Sequence, residues 1–151
     1  MLVTATLIAA ACSDDGGEEQ GALSANEFAR KANALCVEAA SDRQTVLSGI
    51  DPESTGPERA ELLANVIDID ENLLEEVDDL VPPESDQDTV DQLLDHWRDR
   101  TELEQQLREA TANDDAGEVA ALEDQIMQVD AEANPIAGNL LLNECTRGER
   151  V

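Results

Sequence analysis

Apolar residues in this chain recur in steps of three and four, and no segment shows the strict alternation of a β-strand. Ser24-Ala-Asn-Glu27 has the form of a capping box. Phe28, Ala32, Leu35, Cys36, Ala39, Val46 and Leu47 follow at helical spacing, so the pattern predicts a first helix to about Gly49. Residues 50–57 hold Asp-Pro, Ser-Thr and Gly-Pro pairs and read as a loop. Pro57 suits the first position of a second helix, which Leu62, Val66, Ile69, Leu73, Val77 and Leu80 then line. Pro82-Pro83 ends it, and Ser85 is the expected cap of a third. That third helix has two apolar lines, Val90, Leu94 and Trp97 beside Leu93, Leu103 and Leu107. Asn113-Asp114-Asp115 breaks it, and Val119, Leu122, Ile126, Val129 and Ala133 mark a fourth. Pro135 predicts a kink there, or a fresh start capped by Asn134. The apolar tail from Ile136 to Cys145 is expected in the core. Four amphipathic helices with short connections predict an all-α, antiparallel up-down-up-down four-helix bundle, its last helix kinked or broken at Pro135.

The first residues follow another pattern. Leu2 to Ala11 is uncharged and apolar, too short for the roughly 20 residues that span a bilayer. Small residues Ala9, Ala10 and Ala11 stand directly before Cys12. Residues 1–11 resemble a bacterial lipoprotein signal, in which the cysteine after a short lipobox receives a diacylglycerol and becomes the mature N-terminus. The resemblance implies lipidation at Cys12 and a protein held by lipid to the outer face of the cell membrane. No Lys or Arg precedes the apolar run, which predicts a start further upstream. Residues 12–23 (the lipidated cysteine, then polar, acidic and glycine-rich chain) read as a tether averaging roughly 18 Å end to end. Residues 24–151 remain for the bundle.

With Cys12 taken by lipid, Cys36 and Cys145 form an even pair. An up-down-up-down bundle brings the start of its first helix and the end of its last to one end. In an oxidising setting the two are expected to form a disulfide, the alternative being two buried thiols. Phe28-x-x-Lys31-Ala32-Asn33-x-x-Cys36 and Gly138-x-x-x-x-x-x-Cys145 carry a further likeness. In these the body resembles small lipid-anchored helical lipoproteins from the envelopes of high-GC Gram-positive bacteria. Most of that group have no assigned activity, so the resemblance implies topology and location only.

Charge narrows the function classes. The chain of 151 residues carries 36 Asp and Glu against 9 Lys and Arg, a formal charge of −27. Such a surface repels a phosphate backbone, which excludes nucleic acid as a direct partner. One Trp, one Phe and no Tyr leave little for stacking on a sugar or a base. His96 is the lone histidine, beside Trp97 and between Asp95 and Asp99. It has no nucleophile at a local spacing, and a half-exposed helix-edge histidine is the plainer reading. His96 with Met127 is a conceivable haem pair, but no Cys-x-x-Cys-His motif accompanies it. A di-iron site lacks its Glu-x-x-His motifs, and zinc lacks ligands at any usual spacing. Asp68, Asp70, Asn72 and Asp79 match four positions of a calcium loop, yet Leu73 stands where the turn requires glycine. No cofactor, metal or catalytic residue is therefore expected. The expected function is a non-catalytic binding module of the envelope, with another envelope protein as partner. The alternative is a carrier of a small ligand or metal in an inter-helix pocket near His96 and Trp97, and an enzyme of dispersed carboxylates ranks last.

Overall fold

The computed structural model describes residues 21–51 and 53–147. The signal-like residues 1–11, Cys12 and the tether up to residue 20 lie outside the described residues. Four helices follow in order: α1 Ala25–Leu47, α2 Gly56–Asp78, α3 Gln87–Ala112 and α4 Ala116–Asn139, with a 3-10 turn at Asn143–Cys145. No strand occurs among the described residues, and none of their helices is long and apolar enough to cross a membrane.

The starts of the helices are chemically specified. Ser24 and Glu27 close a reciprocal cap on α1: Glu27 N–H donates to Ser24 Oγ, and Ser24 N–H donates to Glu27 Oε2 at 3.1 Å. Thr55 N–H and Oγ1–H both donate to Glu58 Oε2, at 2.8 and 2.9 Å, at the head of α2. Helix α3 begins one residue later than Ser85 implies: Asp86 is the N-cap, and Ser85 Oγ–H donates to its side chain. The Asn113-Asp114-Asp115 break is a three-residue connection. Asp114 takes a left-handed φ of 54°, Asp115 N–H returns to Ala110 C=O, and Asp115 Oδ1 caps α4 by accepting from Glu118 N–H.

Consecutive helices run antiparallel. Leu23 N–H donates to Val81 C=O, joining the start of α1 to the end of α2. Gly56 sits so close to the α3–α4 turn that a Cβ there would lie 2.4 Å from Thr111 O. Helix α2 packs on α1 and α3, and α3 packs on α4. At the end holding Ser24 and Leu140, Phe28, Ala32, Leu73, Val77, Leu94 and Trp97 form an apolar core.

Helix α4 runs through Pro135 to Asn139, so the chain does not break there and Asn134 is not a cap. The stop comes five residues later. Leu142 N–H donates to Ala137 C=O and Leu141 N–H to Gly138 C=O, a Schellman pattern with Leu141 at φ 61°. Leu141 is thereby turned outward, 55% exposed, whereas the apolar tail leads one to expect it inside. Leu140 and Leu142 are buried.

Candidate functional site

The first and last helices do not close the bundle themselves. No Cα of α1 comes within 8 Å of one in α4. Residues 140–147 double back as a strap and fill this seam at the Ser24 end only. Three devices hold the strap. The Cys36–Cys145 disulfide ties it to α1 with Cα atoms 5.1 Å apart. Asn33 receives Glu144 N–H and donates to Leu141 C=O, at 2.9 and 2.8 Å. Asn134 does the same from α4, receiving Arg147 N–H at 2.8 Å and donating to its C=O at 2.5 Å.

Where the strap ends, the seam opens into a trough of about 870 Å³ whose lining includes Arg43, Val66, Arg100, Glu104, Met127 and Arg147. A second recess of about 490 Å³ continues toward the far end, sharing Leu107 and Glu123 and adding Ile50, Leu63 and Val119. Leu47, Ile50 and Met127 border these spaces and remain 43%, 41% and 43% exposed, costly for large apolar side chains.

The wall between the apolar core and the trough is ionic. Asp70, 3% exposed on α2, accepts from three guanidiniums. Arg147 of the strap grips both its oxygens, at 2.8 and 2.9 Å. Arg100 of α3 reaches Oδ2 at 2.9 Å, and Arg43 of α1 reaches Oδ1. Arg100 also donates through Nε to Asp130 of α4 at 3.0 Å and through Nη1 to Glu104 at 2.5 Å. Three of the nine cations in the sequence thus converge on one carboxylate. Burial works against the Asp70 charge, but Arg147, Arg100 and Arg43 outweigh it and hold its carboxyl below the usual range. Glu104 goes the other way: burial, with Asp70 adding repulsion, pushes its carboxyl up to about 7 despite Arg100. Its Oε2 is buried and finds no hydrogen-bond partner among the described residues.

The residues singled out from the sequence lie elsewhere. Trp97 is 5% exposed in the core, with the Arg147 guanidinium 5.9 Å from its ring centre. His96 is half-buried at the α3–α4 edge, 4.0 Å from Glu132. Neither lines the trough, so the expected pocket near that pair is displaced toward the other end of the molecule. Met127 does line it, apart from His96. The calcium-loop match fails physically, because Asp70 points inward onto arginines while α2 stays helical across the whole stretch. No group of three or more metal-ligating side chains occurs among the described residues.

The inward placement of the wall's acids, though not their partners, is written in the helical stripes. Val66, Asp70, Leu73 and Val77 follow steps of four, three and four; Leu94, Trp97, Thr101 and Glu104 follow three, four and three; Ile126, Asp130 and Ala133 follow four and three. In each case an acid occupies a core position. Searches with protein-family models, among curated proteins and among solved structures find no match to this chain.

Proposed function

We propose that this protein is a lipid-anchored, extracytoplasmic binding module, tethered through Cys12, that takes a small amphipathic ligand into the trough between α1 and α4. The reading assigns it no catalytic role. The observation that carries it is the trough itself: an open, partly apolar seam ending on a fixed ionic wall. Its volume falls in the range of small-molecule sites, which combine apolar lining with a few placed polar groups. A seam left open at one end while a disulfide and two asparagine clamps close the other favours a small ligand over the envelope-protein partner. The anchor and location are supported by the lipobox-like run before Cys12 and by a disulfide that suits an oxidising compartment.

One experiment addresses both parts. The protein is expressed from its natural reading frame, extracted from membranes and analysed by native mass spectrometry, beside Cys12→Ser and Leu107→Trp variants. The expected result is a diacylglyceryl-modified Cys12 and a small-molecule adduct that Leu107→Trp, in the trough lining, abolishes. A soluble protein with unmodified Cys12 would overturn the anchor, and an adduct indifferent to Leu107→Trp would overturn the trough.

A further inference from the structure

Resting on the trough reading, we infer that the ligand is a monocationic amphiphile, whose ammonium head donates to Glu104 Oε2 while its alkyl tail lies along Leu107, Leu63 and Val119. Three independent observations converge on this chemistry.

The first is the unsatisfied acceptor. Glu104 is 6% exposed, lines the trough, and gives Oε1 to Arg100. Its Oε2 has no hydrogen-bond partner among the described residues. A buried carboxylate oxygen left without a donor is costly, and a ligand N–H that meets it as the carboxyl turns toward the trough removes the cost. Ionised, as it is at pH 8, this carboxylate oxygen accepts and does not donate, so the group it selects is a donor.

The second is charge. The trough lining sets Glu104, Glu123 and Asp130 against Arg43, Arg100 and Arg147, and Asp70 lies behind the three guanidiniums as a fourth acid of the wall. All three guanidiniums already donate to Asp70, so the carboxylate behind them offsets their attraction for an anionic head. With every acid ionised the wall is one negative charge over, and one ammonium completes it. The net charge of −27 works in the same direction at longer range, gathering cations at the trough mouth and repelling fatty acids.

The third is the path of apolar surface. Beyond Glu104 the polar wall gives way to Leu107, which is shared with the second recess, and then to Leu63, Val119 and Ile50. Exposed Leu47 and Met127 flank the way in. A polar end followed by an apolar run is the outline of a head and a single tail.

Isothermal titration of the mature protein at pH 8 in physiological salt tests this with four probes: decylamine, decanol, decanoate and ethylamine. The expected result is saturable one-to-one binding of decylamine, at least tenfold weaker decanol, and no binding of decanoate or ethylamine. Glu104→Gln should weaken decylamine at least tenfold and leave decanol within a factor of about two. Leu107→Trp should weaken both. If Glu104→Gln does not fold, the comparison of amine with alcohol on the unaltered protein decides alone. Equal binding of decylamine and decanol, both lost in Leu107→Trp, would overturn the cationic head while leaving the trough a ligand site. Non-saturable uptake of ethylamine and decylamine alike, abolished by salt, would mean surface attraction only and overturn the inference. No binding of any probe would overturn the trough reading together with it.

Discussion

Asp70 is the residue on which the most other groups depend. A buried ion cluster is not in itself a gain over an apolar core, since desolvation opposes the attraction. Removing one partner is another matter. Asp70→Asn leaves Arg43, Arg100 and Arg147 facing one another without the charge that holds them, and should cost about 3–5 kcal/mol in urea unfolding. An unchanged urea midpoint would mean that solvent already screens the cluster. Glu104 supplies a pH signature of opposite sign to that of Asp70. Its carboxyl, raised from 4.5 to about 7 in the folded state, binds its proton more tightly when folded. Stability is therefore whole below about 4.5 and falls as pH rises to 7, by at most about 3 kcal/mol. Asp70, held low, contributes stability above its unfolded value that is lost as pH falls through its folded one. Stability should peak in mildly acid solution, and Glu104→Gln should flatten the decline between pH 4.5 and 7. Parallel melting curves for the variant and the unaltered protein across that range would refute the assignment.

Among the elements, the strap decides how the bundle closes. It owes its course to the Schellman stop after α4, which reverses the chain and sends Leu142 into the core. The disulfide then closes a loop of 109 positions, worth about 4.7 kcal/mol in the chain-entropy treatment. Cys36→Ser should lose on the order of 2–5 kcal/mol. Asn134→Ala removes two hydrogen bonds to the Arg147 backbone, at about 1 kcal/mol each. Its distinguishing effect is local: amide exchange at residues 142–147 should accelerate well before that of α2 and α3. Uniform acceleration throughout would mean that the strap has no independent stability. Of these features the cysteine pairing and the apolar tail were readable from sequence. The stop itself was not, because its left-handed position carries Leu141 instead of the glycine that usually announces it.

For the whole molecule, charge sets the behaviour in solution. The cluster withdraws three of nine cations together with the three buried acids Asp70, Glu104 and Asp130, so the carboxylates of the outer surface keep the full excess of negative charge. Folding brings these carboxylates together, so self-repulsion opposes it. The Debye length falls from about 30 Å at 0.01 M to about 3 Å at 1 M. Melting temperature should therefore climb between 10 mM and 2 M NaCl, followed by circular dichroism. A flat series would refute the repulsion argument, and a saturable jump with calcium alone would point to a specific site. The buried cluster, sheltered from solvent, should respond less, so Asp70→Asn should keep its deficit at high salt.

The sequence by itself determined four helices, the Ser24 cap of the first and their antiparallel order, and it pointed to the pairing of Cys36 with Cys145. Each of these is local or follows from local signals: a capping side chain reaches three residues, a helical bond four, and a short connection forces its helices to be neighbours. The path through Pro135 was decided differently, since a single lost backbone bond leaves two outcomes that only packing against the rest of the chain selects. The open seam and the ionic wall belong wholly to the tertiary structure. The partners of Asp70 lie 27, 30 and 77 positions away, on three separate elements. Helical periodicity marks Asp70, Glu104 and Asp130 as inward-facing, but a stripe states only which side is buried. Which opposing side chain meets it depends on the axial offset of neighbouring helices and the reach of the strap. Those are fixed only when the side chains of all four helices interlock.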